Sequence, residues 1–209
     1  MKRTKEEAEH TRDDLLKSAV QIFSEKGVAR ATLEEIAKGA GVTRGALYWH
    51  FESKAQIFDA LHESMHRPFL DGIFEGLEKD HPRPIEQLRD LWIKLFLNLE
   101  KDEQRKRSLI LFMRKCNYSG DLAPYKAQHL KKQEESIKLF ENYFKKMKKL
   151  GKLPADTNPK LLTEGMFCFM KGLLFEYLDN PEDYDIKQKA PKLVGLYFNS
   201  LVKESVTNA

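Results

Sequence analysis

Thr32-Leu33-Glu34-Glu35-Ile36-Ala37-Lys38-Gly39-Ala40-Gly41-Val42-Thr43-Arg44-Gly45-Ala46-Leu47-Tyr48-Trp49-His50-Phe51 is the stretch on which the reading of this chain turns. Thr32 and Glu35 have the spacing of a capping box: the hydroxyl accepts from the amide three residues on, and the carboxylate reaches back. Leu33, Ile36 and Ala37 then fall on one side of a short helix. Ala40-Gly41-Val42 is a tight turn in which Gly41 allows a positive φ at little cost. Thr43 can cap a further helix that ends near His50, so the stretch fits a helix-turn-helix. Leu47 and Phe51 point inward as anchors. Thr43, Arg44, Gly45, Tyr48 and Trp49 point outward, as donors and flat aromatics around a residue without a side chain. A helix entering the major groove needs such a surface: small residues for close approach, Arg for a guanine edge or phosphate, and aromatic hydroxyls for backbone oxygens. His50 and Lys54 fall at the groove edge, Lys54 at a helix start whose amides also favour phosphate. Spacing alone also admits a three-helix interaction module with an aromatic surface patch.

Working outward, Leu15, Leu16, Ala19, Val20, Ile22 and Phe23 recur at helical spacing between Thr11 and Lys26, and Gly27 is a natural stop. Ser53-Lys54-Ala55-Gln56 reads as a second capping box, opening a fourth helix with Ile57, Phe58, Leu61 and Met65 on one face. Pro68 is predicted to kink or break that helix, because proline lacks the amide donor and clashes with the preceding turn. His81-Pro82-Arg83-Pro84 reads as an extended connector. Beyond it, amphipathic helices are predicted near 85–100, 103–117, 123–150, 159–179 and 187–204. There is no useful β-type alternation and no repeat. The expected fold is all-α: a three-helix helix-turn-helix domain over residues 1–54, then a helical domain over 55–209.

Composition bounds the function without naming it. Hydrophobic residues make up 41% and charged residues 33% of the 209, as in a helix-rich globular chain. No apolar run approaches the ~20 residues that span a bilayer, and the basic start has no apolar stretch behind it, so a cytoplasmic protein without membrane partners is expected. The net charge of +4 does not point to DNA, since residues 1–54 carry 10 Lys+Arg against 9 Asp+Glu. The basic excess lies in Arg105-Lys106-Arg107 and Lys145-Lys146-Met147-Lys148-Lys149, which read first as solvated helix faces. Cys116 and Cys168 sit among apolar residues without metal-ligand spacing, and are expected to be buried free thiols.

Thr32-Leu33-Glu34-Glu35-Ile36-Ala37, then Ala40 to Phe51, then Lys54, resembles the signature of the TetR family of bacterial transcriptional regulators. Within it, Arg-Gly-Ala-Leu-Tyr-Trp-His-Phe over residues 44–51 is similar to the repressors of multidrug efflux pumps. The specific likeness covers roughly residues 11–60. It implies about nine helices, a homodimer formed through the last two, and a ligand cavity enclosed by the middle ones. It also implies base or backbone contact with operator DNA at Thr43, Arg44, Gly45, Ala46, Tyr48 and Trp49, with phosphate contact at Thr32, His50 and Lys54. Gly39, where a helix former is commoner, and Pro68 depart from the pattern.

Two further features ask for a reading. His62-Glu63-Ser64-Met65-His66 matches H-E-x-x-H, in which two histidines share a helix face and hold zinc while the glutamate acts as base. No third ligand follows, so ordinary helix-face histidines, no metal, no cofactor and no enzymatic activity are expected, with a zinc hydrolase as the remote alternative. Apolar stripes after Pro84 read first as plain core. Met and Phe also line adaptable pockets, and the family resemblance favours a pocket for a small hydrophobic ligand. Trp92, Phe96, Phe112, Met113, Cys116, Phe140, Phe144, Met166, Phe169 and Met170 are its expected lining. The expected function is a ligand-responsive, homodimeric repressor of a multidrug efflux operon, released from a palindromic double-stranded DNA operator. A same-fold regulator of metabolic or lipid genes is the alternative.

Overall fold

The computed structural model describes residues 5–77, 81–115 and 122–201. Among them are nine α-helices: α1 (Lys5–Lys26), α2 (Leu33–Gly39), α3 (Arg44–His50), α4 (Lys54–Phe74), α5 (Pro84–Lys101), α6 (Glu103–Ile110), α7 (Ala123–Lys149), α8 (Pro159–Asp179) and α9 (Ile186–Asn199). No strand occurs among the described residues. The expected all-α class and helix order are observed. No described helix is long and apolar enough to cross a membrane.

Local chemistry explains the starts of five of these helices. Thr32 accepts from the Glu35 amide at 3.2 Å while the Thr32 amide donates to the Glu35 carboxylate at 3.0 Å, so both halves of the capping box form. At Ser53 the box is only half formed. The Gln56 amide donates to the Ser53 hydroxyl, but the Gln56 side-chain carbonyl accepts from the Glu52 amide at 2.8 Å. Asn158 caps α8, with Pro159 in the first turn where its missing donor costs nothing. Asp102 and Asp185 cap α6 and α9 through the amides three residues on.

One expectation is narrowed and two are corrected. Pro68 does not break the fourth helix: α4 is helical from Lys54 to Phe74, with Leu61 before the proline and Ile73 after it both packed in apolar surroundings. One absent amide donor removes one backbone bond, and burial on either side holds the helix. The predicted helix over 103–117 is α-helical only to Ile110; Leu111–Lys115 follow in π-helical register, where Leu111 is 1% exposed. Cys168 is exposed, not buried. Its expected apolar setting came from neighbours on either side along the chain, which fall on other faces of α8. Cys116 lies outside the described residues.

The chain forms two compact units. The first combines the described residues up to Arg67 with the described residues of Asp102–His129. Its core joins Leu15, Ala19, Phe23, Ile36, Leu47, Ile57, Phe58 and Leu61 to Leu111 and Leu122. α1 lies against α2, α6 and the π-helical turn, and α2 against α3. The second unit combines Pro68–Lys101 with the described residues from Leu130 onward. There α5 lies along α9, and α8 also packs on α9. Trp92, Phe96, Phe140, Phe144, Met166, Met170, Tyr177 and Phe198 are buried in it.

Candidate functional site

The turn between α2 and α3 sets the geometry of the N-terminal site. Gly41 takes φ +68°, its amide donates to the Lys38 carbonyl at 3.1 Å, and the Val42 amide donates to the Ala37 carbonyl at 3.0 Å. This double closure ends α2 with its last carbonyls satisfied and turns the chain directly into α3. Gly39 has a different reason. A Cβ there would sit 2.4 Å from the Ser18 hydroxyl, which itself donates to the Ile36 carbonyl at 2.8 Å. The residue that departs from the family pattern is therefore where α2 closes on α1. Lys26 pairs with Glu35, and this bond, followed by those from Thr32, holds the Glu35 carboxyl below its ordinary pKa.

α3 has a buried face and a presented face. Leu47 is fully buried and Phe51 nearly so, while Thr43, Arg44, Gly45 and Tyr48 are exposed and Ala46 is half-buried. Trp49 is 73% exposed, a large apolar area to leave in water unless something covers it. Its ring meets His50 edge-on at 4.6 Å. The Arg44 guanidinium donates to the Tyr48 hydroxyl at 3.1 Å and lies 5.3 Å from the centre of the Tyr48 ring. The hydrogen bond to Tyr48 is the main cause that raises the Arg44 pKa. One turn of helix thus holds a planar cation over a flat aromatic, with guanidinium donors left for a base edge or phosphate.

Several hydroxyls and amines here are partly engaged. Thr43 accepts from the Ala46 amide at 3.1 Å, as Thr32 does from Glu35, and each keeps its own O–H to donate. Lys54 donates to the carbonyls of Val28 and Ala29 at 3.1 and 2.9 Å, bracing the loop after α1 and leaving one of its three donors. That brace was not legible in the sequence, because it joins residues about 25 apart. Another missed contact is Arg12 on α1, which lies over the Phe51 ring at 5.4 Å.

The residues expected to line a pocket are divided. Phe112 belongs to the first unit, with its ring 4.8 Å from Phe58 and 5.4 Å from His62. Met113 follows it in the π-helical turn. Trp92, Phe96 and Phe140 come together in the second unit, joined by Phe69, Phe74 and Phe167, none of which was expected. Phe144, Met166 and Met170 are buried in the same unit, whereas Phe169 stacks on Tyr197 at 5.2 Å. Phe69 and Phe74 follow the proline expected to kink or break their helix, and lie before the stripes from which the lining was drawn.

His62 is 8% exposed, with the His129 ring 4.2 Å away edge-on. The side chain of His66 lies outside the described residues. No group of three or more metal-ligating side chains occurs among those described.

A short capped helix held by a glycine turn, presenting Arg, Tyr and Trp beside donor hydroxyls, defines a helix-turn-helix nucleic-acid-binding protein. The comparisons with known proteins agree. Residues 15–61 match the family model described as bacterial regulatory proteins, tetR family. Residues 83–203 match that of the MAATS-type transcriptional repressor, C-terminal region. The HTH-type transcriptional regulator TtgR of Pseudomonas putida is 32% identical over 93% of this chain and 92% of its own length. A SmeT–triclosan complex superposes with TM-score 0.81 at 28% identity over 93% of each chain. NalD, the secondary repressor of the MexAB-OprM multidrug efflux pump in Pseudomonas aeruginosa, gives 0.79 at 30% identity over 96% of this chain and 100% of its own. This chain belongs to the TetR family of bacterial transcriptional regulators.

Proposed function

We propose that this protein represses a multidrug efflux operon as a homodimer, and releases its palindromic operator when a small hydrophobic ligand binds. The observation that carries the DNA reading is the presented face of α3, where Arg44 is held on Tyr48 and Trp49 stands 73% exposed. In this reading Thr43, Arg44, Gly45, Ala46, Tyr48 and Trp49 meet bases and backbone, while Thr32, His50 and the remaining donor of Lys54 meet phosphates. Residues 1–54 act as the DNA-binding domain and residues 55–209 as the ligand and dimerisation domain. The protein acts by binding and not by catalysis, inside the cell. The efflux and ligand assignments are supported by NalD, a repressor of an efflux pump, and by SmeT in complex with triclosan.

The dimer reading is supported by the outer face of α8. Leu161 and Phe175 are 67% and 42% exposed, with Cys168 exposed midway between them, and Leu196 of α9 is 71% exposed. Two copies joined by a two-fold axis present two recognition helices about one DNA turn, ~34–36 Å, or a multiple of it, apart.

The test is a gel shift with the DNA flanking the gene. A retarded band that weakens steeply with salt, and is lost on adding triclosan, is the expected result, since phosphate neutralisation releases counterions. Leu161→Glu with Leu196→Glu should give a folded monomer by sedimentation and abolish the shift. A monomeric variant with unchanged operator affinity would remove the homodimer from the reading.

A further inference from the structure

Trp92 is 5% exposed, yet its indole Nε1–H has no hydrogen-bond partner. The large majority of buried side-chain donors are satisfied, because an orphaned donor has lost its water and gained nothing in return. The rings around it offer no acceptor. Phe69 lies 5.2 Å away, tilted by 60°, and Phe140 and Phe96 lie at 6.1 and 6.4 Å. Behind them, Phe74 and Phe167 meet Phe140 at 5.1 and 5.3 Å. These five rings present only π faces and C–H edges, and an N–H over a π face is a weak substitute for an oxygen acceptor. If packing were the whole task, phenylalanine would fill the position without an orphan.

We propose that the Trp92 Nε1–H is the ligand-recognising donor of this protein, and that the ligands are aromatic compounds carrying an oxygen acceptor. This rests on the reading that a hydrophobic ligand enters the second unit. The ring cluster selects flat aromatic bodies by edge and face contact. The donor selects among them, rewarding a ketone, ether or phenol oxygen placed within reach. A carboxylate would lose its water among these rings without meeting a countercharge there, so neutral acceptors are favoured. Trp92 sets specificity within a ring cluster that would otherwise distinguish compounds by size alone, because a site built around one polar group discriminates more sharply than an apolar surface does.

Benzophenone and diphenylmethane test this, since they share two rings and differ by one carbonyl oxygen. Calorimetric titration of the full-length protein should show benzophenone binding about tenfold more tightly, the worth of one buried hydrogen bond. Trp92→Phe should bind the two compounds alike, with diphenylmethane within about twofold of its wild-type affinity and the melting temperature no lower. Trp49 and Trp92 are the two tryptophans of the chain, so Trp49→Phe leaves a single indole N–H signal in a ¹⁵N-labelled sample. Benzophenone should move that signal downfield and diphenylmethane should not, an arm that holds even if Trp92→Phe fails to fold. Equal binding of both compounds with an unmoved signal overturns the donor role and leaves the ligand reading standing. Failure of both compounds to bind the wild-type protein overturns the hydrophobic-ligand reading beneath it.

Discussion

The presented face of α3 and the ring cluster around Trp92 are both rich in aromatics, yet they are built on opposite terms. On α3 the aromatics face water: Trp49 is 73% and Tyr48 43% exposed. What fixes them is bonding to neighbours on the same short helix, as in the Arg44–Tyr48 pair and the Trp49–His50 contact. Around Trp92 the aromatics are buried, and helices distant in sequence bring them together, α4, α5, α7 and α8 each supplying at least one ring. An exposed site shows itself because its residues do what packing would not choose. A buried apolar site has the composition of any core, and only an anomaly such as the unpaired indole N–H of Trp92 distinguishes it.

The sharpest way to break this contrast is Arg44→Ala. Loss of the guanidinium should lower operator affinity by roughly 10- to 100-fold, the range of about 1–3 kcal/mol for a bidentate base contact. The melting temperature and triclosan-induced shift should stay where they are. A gel shift in parallel with thermal melts checks both, and an Arg44→Ala protein of normal operator affinity would leave the α3 face without its assigned role.

Next in size is Gly39→Ala. Alanine usually favours a helix, but here its Cβ meets the Ser18 hydroxyl, which must turn away from the Ile36 carbonyl. A stability loss of about 1 kcal/mol is expected in urea unfolding, with Ser18→Ala removing most of it in the double variant. The Ile36 carbonyl keeps the Ala40 amide in either case. Additive effects of the two substitutions would show that the contact does not limit how closely α2 approaches α1.

The smallest effect concerns the second unit at high pH. Burial first, and then the neighbouring Cys168, push the Tyr197 phenol up to about 12, and its hydroxyl donates to the Leu162 carbonyl at 3.0 Å. Below pH ~10 the phenol is protonated in both folded and unfolded chains. Between there and about 12 the unfolded chain ionises first, so stability falls as pH rises through that window. Tyr197→Phe should flatten this part of a melting-temperature profile. A profile identical to wild type would assign the alkaline loss elsewhere, Tyr143 being the first suspect, since burial raises its phenol further still.

Much of the N-terminal unit was legible because its rules are local. A capping box spans four residues, a glycine turn three, and the presented face of α3 repeats along seven residues of one helix. Those signals placed Thr32, Gly41, Thr43, Arg44 and Leu47 without knowledge of the rest of the chain. The same local logic left a break open at Pro68, where burial on both sides outweighs one missing amide donor, and failed at Cys168, where sequence neighbours do not share a helix face. At Lys54 the tertiary structure adds a second task. The sequence places it at a helix start whose amides favour phosphate, and the fold also draws two of its donors back to Val28 and Ala29.

By itself the sequence determined the helices, their caps, the turn at Gly41 and the family to which the chain belongs, because backbone preference and side-chain period act over a few residues. Only the tertiary structure decided which apolar residues share a cluster, why residue 39 is glycine, and that the Trp92 donor is buried without a partner. Those outcomes depend on which helices meet, and many pairings of amphipathic helices bury the same apolar area while bringing different side chains face to face.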